Sequence, residues 1–337
     1  MIFMGMAAEL REAPLAVERQ AEGLKRPLAE LVTRLRRHPP AVVVTCARGS
    51  SAHAATFAKH LFELKLGLPV AEAAPIIASV YRRALRLDGQ LFLAISQSGR
   101  SDDLVANAIL ARRAGALTVA LVNCIDSPLA AACETVLPIG AGPERSVAAT
   151  KSFTASLAAL LRLASAWTDD AALSAAIDRL PQRLAAASAA DWRPAIAPIG
   201  AAASLVTIGR GPTLAIAREA ALKLKEVATI HAEAFSGAEF LHGPVALVSP
   251  RYPILLLPPT DAAVEGLRDL AADLAAKGAL LLTAGLSGQL PVQPSDHPET
   301  DALCLIQSVY AMIPVLAERL GIDPDRPRHL HKVTRTR

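Results

Sequence analysis

Aromatic side chains are scarce: Phe, Tyr and Trp together make up 4% of the 337 residues. Single-stranded nucleic acids rest largely on stacked aromatic platforms, so such partners find little material here. Cysteine is rarer still, with Cys46, Cys124, Cys133 and Cys304 the full set. None forms a CxxC pair or a zinc-like spacing with histidine, so no disulfide framework is expected and buried free thiols in a reducing compartment are. Charge of one sign is also lacking, since 35 Lys and Arg stand against 31 Asp and Glu, for a formal net charge of +4. That small excess suits an anionic small molecule no less than a polyanion, and no nucleic-acid partner is expected. No apolar run reaches the 18 or more residues of a membrane span. The opening MIFMGMAAELRE has no basic region and meets Glu9 early, unlike a secretory leader. These absences together predict a cytoplasmic protein with no membrane partner.

What is present is length, alanine and alternation. Residues 1–38 read as helical, with Leu10, Val17, Leu24, Leu28, Leu31 and Leu35 as the apolar stripe and Pro39-Pro40 as the stop. Short apolar strands then alternate with helices: strands at 41–46, 69–71, 90–96, 117–122 and 136–139, and helices at 51–66, 102–114 and 128–133. Strands of this kind argue a parallel sheet covered on both faces. The chain divides into a helical arm (1–40), a first α/β domain (41–168), a helical linker (169–195), a second α/β domain (196–322) and a tail (323–337).

The second half repeats the first. The run VVVTCARG ending at Gly49 lines up with SLVTIGRG ending at Gly211, a shift of 211 − 49 = 162 residues. The same shift places Phe92–Ser96 on Ile254–Pro258 and brings 117–122 close to 279–283. Two copies of one α/β unit are therefore expected.

The copies differ where chemistry would show. After its strand the first carries Ser96-Gln97-Ser98-Gly99-Arg100-Ser101, whereas the second has Pro258-Pro259-Thr260 there. Hydroxyls and a glycine between a strand and a helix N-terminus suit a phosphate monoester. Ser101 is equally an ordinary N-cap before Asp102-Asp103.

The second copy has its own concentration of ionisable groups between Gly209 and Pro244. A helix from Leu214 to Val227 puts Glu219, Lys223 and Glu226 on one face, with Leu214, Ala217, Ala221, Leu224 and Ala228 on another. On spacing alone the charged face reads either as a solvated i, i+4 pair or as a cleft-facing cluster. Ser236-Gly-Ala-Glu239 fits a capping box, which holds His242 at a helix end before Gly243-Pro244. His231 and Glu233 are expected to hold structure. His53 and His60 share a helical face without a third ligand, so they read as packing residues and no metal is expected.

Taken together these segments resemble the sugar isomerase (SIS) domain family. The resemblance is to its double-SIS members: the isomerase part of glucosamine-6-phosphate synthase and the SIS-type glucosamine-6-phosphate deaminases. It covers nearly the whole chain from Ala41 and rests on Gly49-Ser-Ser51, Ser96-Gln-Ser-Gly99, Val147-Ala-Ala-Thr-Lys151, Glu219-Ala-Ala-Leu-Lys-Leu-Lys-Glu226, His231-Ala-Glu233, Glu239-Phe-Leu-His-Gly-Pro244 and Asp325-Arg-Pro-Arg-His-Leu-His-Lys332. The fold implied is two tandem SIS domains, each a parallel sheet flanked by helices in a flavodoxin-like three-layer sandwich. The resemblance implies that Ser51, Ser96, Gln97, Ser98, Ser101 and Val147 bind the phosphosugar, with Ser101 in place of the family's threonine. It further implies Glu226 as the base moving a proton between sugar C1 and C2, and His242 as the ring-opening residue supplied across a homodimer. The resemblance also implies that Lys332 meets the open-chain sugar and that Glu219 and Lys223 belong to the same cluster. Binding then comes from the first domain and proton transfer from the second, without a cofactor.

Departures from the family pattern bear on the sugar. Ala52 stands for a tyrosine, Ala149 for a serine and His331 for an alanine. No glutaminase domain precedes the first unit, so deamination of glucosamine 6-phosphate to fructose 6-phosphate and ammonia is expected ahead of glutamine-dependent synthesis. A plain phosphosugar isomerase and a non-catalytic phosphosugar sensor are the alternatives. A DNA-binding regulator is disfavoured by the small charge excess and the lack of a helix-turn-helix arm.

Overall fold

The computed structural model describes residues 5–332. In chain order its elements are α1 (Met6–Arg11), α2 (Ala13–Arg37), β1 (Val43–Cys46), α3 (Ser50–Leu66), β2 (Val70–Glu72), α4 (Ile76–Ser79), β3 (Leu91–Ser96), α5 (Asp102–Arg113), β4 (Leu117–Val122), α6 (Pro128–Ala132), β5 (Thr135–Pro138) and α7 (Lys151–Thr168). There follow α8 (Ala171–Ser188), α9 (Arg193–Gly200), β6 (Ser204–Gly209), α10 (Pro212–Ala228), β7 (His231–Ser236), α11 (Gly237–Phe240), β8 (Pro253–Leu256), α12 (Val264–Ala276), β9 (Leu280–Thr283) and α13 (Pro298–Arg319).

The chain forms two compact bodies. The first contains residues 15–144, 151–178 and 331–332; the second contains residues 5–14, 145–150 and 179–330. The expected single helix over 1–38 is broken at Glu12, and the short α1 belongs to the second body. Its buried Glu9 carboxylate accepts from the backbone N–H groups of Arg145 (2.5 Å) and Ser146 (3.1 Å), which ties that excursion of the chain in place.

The first body's sheet has the order β2-β1-β3-β4-β5, parallel throughout, which is the doubly wound flavodoxin-like order. Alternate residues of its strands point to opposite faces, and both sets are buried, because helices cover both sides. Val44, Phe92, Ala94 and Ala120 meet Leu104 and Ala108 of α5 on one side. The second body repeats the pattern with four strands, β7-β6-β8-β9, again all parallel. Val206, Ile208 and Ile254 pack with Leu267, Leu270 and Leu274 of α12. Thr207 points the other way and donates to the Ala217 carbonyl of α10 at 2.8 Å. This is the tandem, three-layer α/β architecture read from the sequence.

The 162-residue shift holds in detail. Adding 162 to both bounds of α3 gives the bounds of α10, and α5 begins at 102 where α12 begins at 264. Even the turn entering the first helix repeats: Gly49 has φ 55°, ψ −135° and Gly211 has φ 56°, ψ −129°. A positive φ of this kind selects glycine, and with no side chain the backbone lies open at the sheet edge. α13 is long and apolar enough to cross a membrane by composition alone, yet 89% of its apolar window is buried in the protein core. The four cysteines are all free; Cys46, Cys133 and Cys304 are buried, and burial pushes each thiol up to about 12.

Gly209 and Gly23 give a contrasting pair of tests. A Cβ at Gly209 would lie 2.2 Å from the Thr213 carbonyl oxygen, whereas one at the exposed Gly23 inside α2 meets only Pro138 Cγ at 3.8 Å. Gly209→Ala should therefore cost roughly 1–3 kcal/mol by forcing the turn open. Gly23→Ala should gain about 0.5–1 kcal/mol of helix stability. Urea unfolding of both variants checks the sign of each.

Candidate functional site

The acid–base cluster sits on α10. Glu219, Lys223 and Glu226 lie within two turns, so their side chains meet. The Lys223 ammonium is 3.3 Å from Glu219 Oε1 and 2.5 Å from Glu226 Oε2. Glu219 is fully buried and Lys223 is 1% exposed, whereas Glu226 keeps 22% of its side chain exposed. The pair is thus buried inside the body rather than solvated on its surface. A solvated surface pair would leave the lysine in water.

Burial alone would drive Lys223 toward neutrality, but the charges of Glu219 and Glu226, reinforced by hydrogen bonds, outweigh it and raise its pKa above the ordinary lysine value. The lysine is therefore a fixed cation at neutral pH. Glu226 occupies the last turn of α10, where the helix dipole disfavours a carboxylate. Lys223 offsets that cost and fixes the direction of the carboxylate. Because the helix starts at the carboxyl edge of β6 and runs back across the sheet, Glu226 lies at the far end of α10, away from that edge.

Tyr310 completes the cluster. Its hydroxyl donates to Glu219 Oε1 at 3.0 Å, and the side chain is fully buried on α13. The sequence reading missed it, since α13 reads as an apolar helix and a single tyrosine in it looks like core. The chain of contacts runs Tyr310, Glu219, Lys223, Glu226, from the interior to the half-exposed carboxylate.

His242 follows α11 and is exposed. The predicted cap is real: Ser236 Oγ accepts from the Glu239 N–H at 3.2 Å. The His242 N–H donates to the Glu239 carbonyl at 3.0 Å, and Gly243 at φ 127° then redirects the chain. His231 and Glu233 lie on β7, a strand the sequence reading did not place, with both side chains outward and Ala232 inward.

The serine loop belongs to the first body. Ser96 ends β3, and the loop Gln97–Ser101 leads into α5; Ser51 is in the first turn of α3, which follows the neighbouring strand β1. This is the carboxyl edge at the switch point between β1 and β3, where doubly wound sheets take their ligands. The Gly99 N–H donates to Ser96 Oγ at 3.0 Å and the Arg100 N–H to Ser98 Oγ at 3.3 Å. Each hydroxyl keeps its own hydrogen for an incoming oxygen. A Cβ at Gly99 would fall 2.1 Å from Ser127 Oγ, so only glycine fits this bend at φ 61°. Ser101 caps α5 by position without a side-chain hydrogen bond, which leaves its hydroxyl available. Arg48 is committed to Asp103 at 2.8 Å.

Val147 and Lys332 are placed as follows. Val147 is in the 145–150 segment, which groups with the second body. Lys332 packs in the first body, its ammonium 3.3 Å from Glu144 Oε2, a buried carboxylate that also accepts from the Ser152 N–H and hydroxyl. The structure thus brings together Glu219, Lys223 and Glu226, and sets Ser51 and the serine loop after neighbouring strands of one sheet.

The fold and these two clusters define a tandem, doubly wound α/β protein with a hydroxyl-rich loop in one repeat and a buried acid–base cluster in the other. Residues 41–166 and 199–285 match the SIS domain, and the chain belongs to that family. A glutamine–fructose-6-phosphate aminotransferase [isomerizing] from Caulobacter vibrioides is 33% identical over 86% of this chain and 51% of its own length. The chain spans about half the length of the curated relatives it matches. Among solved structures, a protein from Silicibacter pomeroyi DSS-3 provisionally assigned as a phosphosugar isomerase is 46% identical, with TM-score 0.91 over 95% of this chain and 99% of its own. A glucosamine-6-phosphate deaminase from Thermotoga maritima shares the fold, with TM-score 0.73 and 23% identity over 96% of this chain and all of its own.

Removing the cation tests the cluster directly. Lys223→Met leaves buried Glu219 uncompensated and should cost roughly 3–5 kcal/mol. Tyr310→Phe should cost about 0.5–1.5 kcal/mol, the loss of one of the hydrogen bonds that a buried carboxylate accepts. Because the folded Lys223 pKa is raised, its contribution is complete below the ordinary value of 10.5 and is lost as pH rises through the higher folded value. Wild-type stability should therefore fall over that alkaline window, and Lys223→Met should show a flatter dependence there in urea titrations at stepped pH.

Proposed function

We propose that this chain is a phosphosugar isomerase acting on an amino-sugar phosphate, converting glucosamine 6-phosphate to fructose 6-phosphate and ammonia. The observation that carries the reading is the half-exposed Glu226 carboxylate held by a buried ammonium, in a chain whose named relatives handle fructose 6-phosphate and isomerise it. The hydroxyls of Ser51, Ser96, Ser98 and Ser101, with Gln97, take the phosphate oxygens. Val147 contributes a backbone wall to the sugar.

The steps balance without a redox change. His242 shuttles the proton that opens the ring to the free aldehyde. Glu226 removes the proton from C2, the electron pair forms an enol across C1 and C2, and the same carboxylate returns the proton to C1. One positioned base serves both carbons, help that typically contributes roughly a hundred- to ten-thousand-fold. The amine on C2 becomes an imine, water adds there, and ammonia leaves with the ketone behind it. Charge developing on the enol oxygen calls for a cation, for which Lys332 is the candidate. Lys223 holds the Glu226 carboxylate in place. The exposed His242 suits a role in a homodimer, supplied to the site of a second copy.

Purified protein incubated with glucosamine 6-phosphate should release ammonia and fructose 6-phosphate in equal amounts. Galactosamine 6-phosphate and N-acetylglucosamine 6-phosphate, run in parallel, identify the preferred sugar. Glu226→Gln should lower turnover by at least about a hundredfold, with phosphosugar affinity within a few-fold of wild type. Interconversion of fructose 6-phosphate and glucose 6-phosphate without ammonia release would replace deamination by plain isomerisation. Tight phosphosugar binding with no turnover of any of them would make the chain a sensor.

A further inference from the structure

The second repeat has a carboxyl edge of its own, and the acid–base cluster does not use it. Glu226 lies at the far end of α10, whereas the residues just beyond β8 and β9 enclose a cavity of about 140 Å³. Pro258, Pro259 and Thr260 line it, and the 162-residue shift makes these the counterparts of Ser96, Gln97 and Ser98. The cavity thus takes in the second copy's counterpart of the serine loop, on the side of β8 that faces β9, with changed chemistry.

Phosphate does not suit it. Pro258 and Pro259 carry no N–H, so the backbone donors of a phosphate cradle are gone. The charged groups in the wall, Arg183 and Asp301, are paired at 2.7 Å. Arg183 also donates to the Pro294 carbonyl (2.6 Å), and Asp301 accepts from the hydroxyls of Thr260 (2.6 Å) and Ser295 (3.0 Å). Neither charge is left to call for a counter-ion, so the occupant is uncharged.

The remaining lining is mostly aliphatic, from Val264, Ala284, Leu286, Val292 and Leu305, with the polarisable sulfur of Cys304 among them. Such walls suit the flat faces of a ring, and sulfur favours aromatic contact. Thr260 and Val292 are exposed at the rim, so the space opens to solvent. Half-buried Gln293 faces it, and its side-chain amide makes no hydrogen bond among the described residues. A free carboxamide presents a donor and an acceptor side by side, the pattern that reads a nucleobase edge. The volume falls below the roughly 300–1,000 Å³ of clefts for drug-sized ligands, which limits the occupant to about one ring system. Backbone strain also gathers here, with Leu286 at φ 49° and Ser287 at φ 61°, a feature common at binding sites.

We propose that this cavity binds an uncharged heteroaromatic ring of the nucleobase class, its faces against the aliphatic wall and its donor–acceptor edge on the Gln293 amide. The site is separate from the phosphosugar reading and does not depend on it.

Isothermal titration calorimetry of the full chain with uracil, adenine and hypoxanthine, and with inorganic phosphate as the anionic control, tests the proposal. At least one base should bind saturably with one site per chain, and phosphate should not compete with it. Gln293→Leu, at the rim, should weaken that base about tenfold or more, consistent with loss of a bidentate edge contact. Val264→Phe should abolish binding by filling the space. Unchanged far-ultraviolet circular dichroism and melting temperature in Gln293→Leu keep the test valid if Val264→Phe does not fold. Absence of saturable binding for all three bases, or binding that survives Gln293→Leu undiminished, would overturn the proposal.

Discussion

The second body is organised around one buried cation. A lysine ammonium 1% exposed is tolerated only because two carboxylates stand within 3.3 Å of it. Its position dictates much else: Glu219 has to be buried with it, and Tyr310 has to reach across from α13 to satisfy Glu219. Replacing the cluster with well-packed apolar side chains would stabilise the body or leave it unchanged. What the cluster provides is a carboxylate at a helix C-terminus, a place where one is otherwise unwelcome, directed by a cation that stays charged.

The two repeats show how one backbone plan is put to different chemical uses. Both enter their first helix through a glycine at φ near 55° and both leave a carboxyl edge available. In the first, serine hydroxyls and Gly99 occupy that edge. In the second, two prolines remove the N–H donors and an apolar cavity takes their place. The second repeat carries its ionisable groups on the helix flank, where α13 can close over them. Divergence has changed side chains and loops while strand order and helix bounds stayed in register.

Much of this was legible in the residues. The 162-residue repeat rests on backbone register, which periodicity reports well, so β1, β3, β4 and their counterparts fell where expected. The face shared by Glu219, Lys223 and Glu226 follows from helical spacing. Spacing does not say whether that face is wet, however, because burial is decided by α13, nearly a hundred residues away. Tyr310 was missed for the same reason: its function as a donor exists only once Glu219 is opposite it. β7 escaped notice because His231 and Glu233 are polar, as the outward side of an edge strand permits. The break at Glu12 was hidden by an apolar stripe that continues through both helices, while the fixed position of α1 comes from Glu9 binding two distant backbone N–H groups.

The central claim is that Glu226, held by Lys223, moves a proton at sugar C2. Proton nuclear magnetic resonance of glucosamine 6-phosphate in D2O follows that step without requiring net product. The account predicts that wild-type protein exchanges the C2 hydrogen for deuterium and that Glu226→Gln does not, while still binding the sugar phosphate. Exchange in Glu226→Gln as fast as in wild type, or none in an active wild-type preparation, would contradict it.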